Sequence, residues 1–150
     1  MSSYGAFNVA YLMEFISEIT FVVIAVGILP FAIKERKIAA DYFALVITTA
    51  FFSMFFQEFF MRPRPPSALG INTYSFPSTH SSSIFAWAEF MSGKYRRYAG
   101  VFYLFSVLVA VSRVYIGAHY PIDVLAGAIL GLLIATVLKR SNNYGTQPKH

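Results

Sequence analysis

Cysteine is absent from the 150 residues, which excludes disulfides, thiolate nucleophiles and cysteine-ligated metals and leaves the redox compartment open. Charge is nearly as scarce. Only 13% of residues are Asp, Glu, Lys or Arg, against 57% hydrophobic, a balance that a water-soluble core does not need and that places the chain among membrane proteins. Acidic residues are the rarer sign, seven against twelve basic, for a formal net charge of +5. This excess does not argue for nucleic acid as a partner, because the basic residues sit in short loops between apolar runs. The sequence also lacks internal repeats and low-complexity segments.

What it has is a series of apolar runs, several of them about twenty residues long, enough to cross roughly 30 Å of hydrocarbon. They fall at about 6–33, 38–61, 79–91, 98–115 and 121–138. The expected fold is therefore all-α, a polytopic membrane helix bundle of about five transmembrane helices, with one domain over 1–140 and a polar, disordered tail over 141–150. Met1 to Asn8 carry no Lys or Arg and the first run is too long for a signal peptide, so it is expected to remain as a span. Glu14 and Glu18 lie in that run, four apart, and share a face that must look into the bundle or a watery cavity. Pro63, Pro65 and Pro66 stop the second helix, and residues 67–76 read as a loop with Gly70 and Asn72 as turn residues. The third run is short and polar at its start, which suits a helix recessed in the protein, with Ser78 as its N-cap. Gly127 and Gly131 make a Gly-x-x-x-Gly face for close packing.

Three polar stretches interrupt the runs: Arg62-Pro63-Arg64-Pro65-Pro66, Pro77-Ser78-Thr79-His80, and residues 112–123, Ser-Arg-Val-Tyr-Ile-Gly-Ala-His-Tyr-Pro-Ile-Asp. Threading alternate spans puts all three on one side of the membrane. Nine of the twelve basic residues collect on the other side, leaving Arg62, Arg64 and Arg113 with the polar stretches. By the positive-inside rule the N-terminus and these stretches face away from the cytoplasm and the C-terminus lies within it. His119 and Asp123 are four apart, so a helix beginning near Pro121 can bring the carboxylate under the imidazole and fix its tautomer. Arg113 is a fixed charge at the end of an apolar run, where charge is costly.

Taken together, Arg64-Pro65, Pro77-Ser78-Thr79-His80 and Ser112-Arg113 with His119 and Asp123 resemble the three-part signature of the type 2 phosphatidic acid phosphatase (PAP2) family. Its pattern is Lys, six residues, Arg-Pro; then Pro-Ser-Gly-His; then Ser-Arg, five residues, His, three residues, Asp. Two positions depart from it, Thr79 standing where the family has Gly and Gln57 where it has Lys. The resemblance implies an integral-membrane lipid phosphatase in which His119 is the nucleophile that becomes a phosphohistidine, Asp123 its orienting partner, and His80 the acid that protonates the leaving group. Arg64, Arg113, Ser78 and Thr79 would bind phosphate, with Gln57 donating hydrogen bonds without charge and Arg62 moved toward the missing lysine.

No cofactor or metal is expected. Two histidines and an aspartate could form a zinc site, but three arginines nearby would repel a cation. The expected partners are the bilayer and a membrane lipid phosphate or diphosphate, first a polyprenyl diphosphate because an outward site suits carrier recycling, then phosphatidate or phosphatidylglycerophosphate. The rival readings are a lipid-phosphate binder without turnover and a proton pathway using Glu14, Glu18 and Glu58. Oligomeric state is left open.

Overall fold

The computed structural model of the protein describes residues 3–27, 29, 35–68 and 73–141. Among these are five α-helices, α1 (Ser3–Val26), α2 (Arg36–Phe60), α3 (Thr79–Lys94), α4 (Ala99–Tyr115) and α5 (Pro121–Ser141), with one turn of 3-10 helix at Arg96–Tyr98 and no strand. Among the described residues three stretches are long and apolar enough to cross a membrane, Arg36–Phe60, Arg96–Tyr115 and Pro121–Ser141. Their outer faces carry large exposed apolar side chains, among them Phe51, Phe55, Phe59, Leu104, Leu133 and Val137. Water would penalise such a surface; hydrocarbon does not.

At 16 residues α3 is the short helix, and it packs against all four others. Small residues make this possible: Ser81, Ser82, Ala86 and Ala88 are buried on it and let neighbouring backbones approach. Gly127 and Gly131 of α5 answer from the other side. A Cβ on Gly127 would come within 2.5 Å of the Ser78 carbonyl oxygen, and one on Gly131 would overlap the Ser82 carbonyl. Several hydroxyls inside this interface find partners within the protein, as a dry interior favours, while Ser81 Oγ and Thr49 Oγ1 have none among the described residues. Ser53 Oγ and Ser82 Oγ are 2.6 Å apart, Ser53 Oγ donates to the Thr49 carbonyl at 2.8 Å, and Ser106 Oγ donates to the Ile84 carbonyl at 3.1 Å. Below them Ile24, Tyr42, Ile84, Trp87, Ala88, Met91 and Val109 form the apolar core.

The bundle has two unlike ends. At one, Lys94 pairs with Glu35 at 2.5 Å, and nearby Lys139 pairs with Glu89 at 3.2 Å. At the other, the end of α2, the start of α3, the end of α4 and the start of α5 come together through the loops at 61–78 and 116–120. One expected boundary moves. The first helix stops at Val26 instead of running to 33, and Gly27 turns against the core, where an added Cβ would lie 2.8 Å from Trp87 Nε1 and 2.9 Å from Tyr42 Oη. The tail expected at 141–150 lies, beyond Ser141, outside the described residues.

Replacing Gly131 by Ala should overpack the α3–α5 contact at a cost of about 1–3 kcal/mol. Its thermal midpoint in detergent should fall measurably, while Gly100→Ala, whose added Cβ meets nothing within 4 Å, should show no loss.

Candidate active site

Each loop at the crowded end is held by its own hydrogen bonds. Met61 closes α2 in the left-handed region, with φ 46°, and turns the chain away from the helix axis. The Ser75 backbone N–H then donates to the Arg62 carbonyl at 2.9 Å, and its hydroxyl reaches the Pro63 carbonyl at 3.1 Å, which folds the loop back on itself. Between α4 and α5 the Arg113 carbonyl accepts from the N–H groups of Ala118 at 3.1 Å and His119 at 3.2 Å. Gly117, with φ 71°, allows that reversal, and the Ser67 hydroxyl donates to its carbonyl at 3.0 Å.

These turns bring the His119 ring between two fixed groups. Nδ1 is 2.8 Å from the Ser75 carbonyl oxygen, and Nε2 is 3.0 Å from Arg64 Nη1. A carbonyl can only accept and a guanidinium can only donate, so one neutral tautomer fits both: Nδ1 carries the proton and Nε2 presents its lone pair. Arg64 is equally fixed. Its Nε donates to the Thr73 carbonyl at 2.9 Å, Nη2 to the Thr73 hydroxyl at 2.8 Å and Nη1 to the Ala118 carbonyl at 2.9 Å. Burial opposes the Arg64 charge and Asp123 supports it.

His119 is 3% exposed. Burial first, then the charges of Arg64 and Arg113, push its pKa down to about 3, against the opposing pull of the Ser75 hydrogen bond. The ring is therefore neutral in the folded protein throughout the physiological range. Because the unfolded chain takes up this proton near pH 6.5, stability is lost as pH falls from there toward about 3.

Several expected site residues take other positions than the spacing suggested. Asp123 is fully buried, but its Oδ2 lies 3.8 Å from His119 Nδ1, outside hydrogen-bond reach, because it accepts from the Tyr120 N–H at 2.9 Å. Its Oδ1 pairs with Arg62 at 2.8 Å. The group that fixes the tautomer is thus the Ser75 carbonyl, and Asp123 braces the start of α5 beside it. Arg62 does not move toward the missing lysine: its guanidinium lies on Asp123 and over the Tyr120 ring, 4.6 Å from the centroid. Ser78 caps α3, its hydroxyl facing the Ser81 N–H at 3.5 Å and its own N–H donating to the Asp123 carbonyl at 3.0 Å. Gln57 turns inward, donating to the Pro77 carbonyl at 2.9 Å and to the Thr79 hydroxyl at 3.0 Å. The two departures from the family pattern are hydrogen-bonded to each other.

Arg113 is buried at the end of α4 with Nη1 bonded to the Ser17 hydroxyl of α1 and Nε without a hydrogen-bond partner among the described residues. His80 lies within electrostatic reach of Arg64, Arg113 and His119, with the Phe21 ring of α1 against it at 4.5 Å. Glu14 and Glu18 do not face the bundle interior; both are exposed, and Glu18 lies within electrostatic reach of Arg113. Glu58 is exposed on α2. Ser17, Phe21, Thr73 and Ser75 carry no motif. Their one sequence signal is polarity or position beside an apolar run, too common to single them out.

Two measurements check this geometry. Nitrogen-15 NMR of the ring should show His119 as the neutral Nδ1–H tautomer from pH 8 down to 5; an Nε2–H tautomer or a midpoint near 6.5 would contradict it. In a double-mutant cycle on thermal stability, Gln57→Leu and Thr79→Val should be non-additive by about 0.5–1.5 kcal/mol, the coupling of one buried hydrogen bond.

The chain is similar to known proteins in sequence and in fold. The chain is 30% identical over 88 residues to the undecaprenyl-diphosphatase BcrC of Bacillus subtilis, covering 54% of this chain and 46% of that protein. It is 39% identical over 70 residues to a lipid A 1-phosphatase of Rhizobium johnstonii, covering 44% of this chain and 29% of the relative. The chain thus spans less than half the length of each of these curated relatives. Among solved structures, a PAP2-type phosphatidylglycerolphosphate phosphatase from Bacillus subtilis superposes with a TM-score of 0.75 at 24% identity, over 94% of this chain and 80% of that one. A family model described as the PAP2 superfamily matches residues 38–147, nearly all of the chain from α2 onward. The chain belongs to the PAP2 superfamily.

Proposed function

We propose that the protein is a membrane lipid phosphatase that uses His119 as a nucleophile on the terminal phosphate of a polyprenyl diphosphate. The observation that carries this reading is that two arginines, Arg64 and Arg113, crowd beside His80 and the neutral ring of His119 at one end of the bundle. Asp123 is the one buried carboxylate among the described residues, and it is already paired with Arg62. Such an excess of positive charge calls for an anion, and a phosphate group supplies both the charge and the acceptor oxygens.

In this mechanism the Nε2 lone pair attacks phosphorus while Arg64 and Arg113 hold the non-bridging oxygens. The P–Nε2 bond forms as the bond to the leaving oxygen breaks, and that oxygen takes a proton from His80, whose imidazolium form the negative charge of the bound phosphate favours. Water then attacks the phosphohistidine, giving a proton back to His80 and releasing inorganic phosphate. Ser75 holds the ring throughout, while Arg64 Nη1 shifts from Nε2 to a non-bridging oxygen as the phosphate enters, which frees the lone pair for attack. Phosphoryl transfer here rests on arginines and needs no divalent ion.

Two further points support the choice of substrate and side. BcrC, the relative of largest coverage described above, bears the name undecaprenyl-diphosphatase. The basic residues Arg36, Lys94, Arg96, Arg97, Lys139 and Arg140 lie at helix ends opposite the site, which supports an extracytoplasmic site with the C-terminus in the cytoplasm. Phosphatidate and phosphatidylglycerophosphate are the second reading, supported by the solved structure of a phosphatidylglycerolphosphate phosphatase.

Purified protein in detergent, offered a polyprenyl diphosphate, phosphatidate and phosphatidylglycerophosphate, should release phosphate fastest from the first, retain activity in EDTA and be inhibited by vanadate. Faster release from either glycerolipid would reassign the substrate. Activity lost on chelation and restored by a divalent ion would overturn the mechanism.

A further inference from the structure

The family model begins at residue 38, so α1 lies outside it, yet α1 touches the site at two places. Ser17, fully buried, donates or accepts at no other described side chain than Arg113, whose Nη1 it holds. One turn further on, Phe21 lies against His80 with its ring tilted by 59°. Both contacts come from one face of the helix, since residues four apart are stacked on the same side. Thr20 and Ile24, also buried, seat that face against the bundle.

From these contacts we propose that Ser17 is a positioning residue for Arg113, and that α1 is thereby part of the phosphate-binding machinery. The proposal rests on the reading of the site given above. Arg113 emerges from the last turn of α4 into a buried space, and a guanidinium there has several rotamers to choose from. The Ser17 hydroxyl fixes one edge of it. That leaves Nε, buried and without a hydrogen-bond partner among the described residues, to meet a phosphate oxygen. Without Ser17 the guanidinium would bind the same lipid but lose its alignment on the equatorial oxygens, where charge develops during transfer. Phe21 packs against the proton donor, so one helix face touches both the phosphate clamp and the acid.

The test is the full chain carrying Ser17→Ala, Ser17→Thr or, as a lipid-facing control on the same helix, Val22→Ala. Each is assayed for kcat and KM on the best substrate and for the inhibition constant of vanadate, which imitates five-coordinate phosphorus. Ser17→Ala should lower kcat by about tenfold with KM nearly unchanged, and raise the vanadate constant by a similar factor, the expected loss of one hydrogen bond to a charged group. Ser17→Thr, which keeps the hydroxyl, should recover most of both, and Val22→Ala should match the wild type. The vanadate constant is read on whatever fraction of the protein is active, so partial misfolding does not move it. A Ser17→Ala protein with an unchanged vanadate constant overturns the proposal while leaving an active wild-type enzyme in place. A wild-type protein inactive on every lipid removes the reading of the site, and the proposal with it.

Discussion

His119 is gripped on both ring nitrogens, by a backbone carbonyl on one side and an arginine on the other. The carbonyl of Ser75 takes the Nδ1 proton, and Arg64 points a donor at the Nε2 lone pair. Neither partner belongs to the helix turn that carries His119. Both come from the loop between α2 and α3, so the ring is set correctly only when that loop is folded back through Ser75 onto Arg62 and Pro63. The same loop supplies Thr73, which holds Arg64 by two hydrogen bonds. A reactive imidazole in an otherwise apolar bundle thus depends on the irregular backbone of residues 61–68 and 73–78, which is tolerated because it lies at the polar end of the bundle.

The bundle exists to bring that loop to the ends of α4 and α5. Its short central helix and the glycines of α5 let the helices close to backbone contact, and the Ser78 N–H bonded to the Asp123 carbonyl ties the start of α3 to the start of α5. Asp123 then serves two elements at once, as an acceptor for the Tyr120 N–H and as the counter-charge to Arg62. An interior carboxylate that is doubly hydrogen-bonded and paired is affordable where a lone one is not. Packing and chemistry meet in the same few residues.

Much of this was legible in the sequence. The apolar runs gave the helices, with boundaries for α2, α4 and α5 within a few residues, because periodicity and proline stops act locally. The three polar stretches could be assigned to one end because alternate spans must return to the same side. What the sequence hid depends on contacts between distant segments. The spacing of His119 and Asp123 suggested a direct pair, whereas the Ser75 carbonyl, 44 residues away and invisible as a backbone group, lies closer to the ring. Gln57 and Thr79 read as two separate departures, and only the fold shows that they bond to each other. Arg62 had the right charge to stand in for a lysine but is drawn to Asp123, 61 residues on. Side-chain polarity in α1 gave no hint that Ser17 would reach Arg113, because a single serine in a spanning helix is more often an interhelical hydrogen bond than part of a site.

The central claim is that the lone pair of His119 Nε2, held by Arg64 until a phosphate takes its place, is the nucleophile. It is tested most directly by mixing the enzyme with substrate labelled at the terminal phosphorus and quenching within a turnover. The account predicts a covalent label that is stable in alkali, lost in acid and mapped to His119, and absent from a folded His119→Ala protein. Label on another residue, or turnover with no covalent phosphate at all, would contradict it.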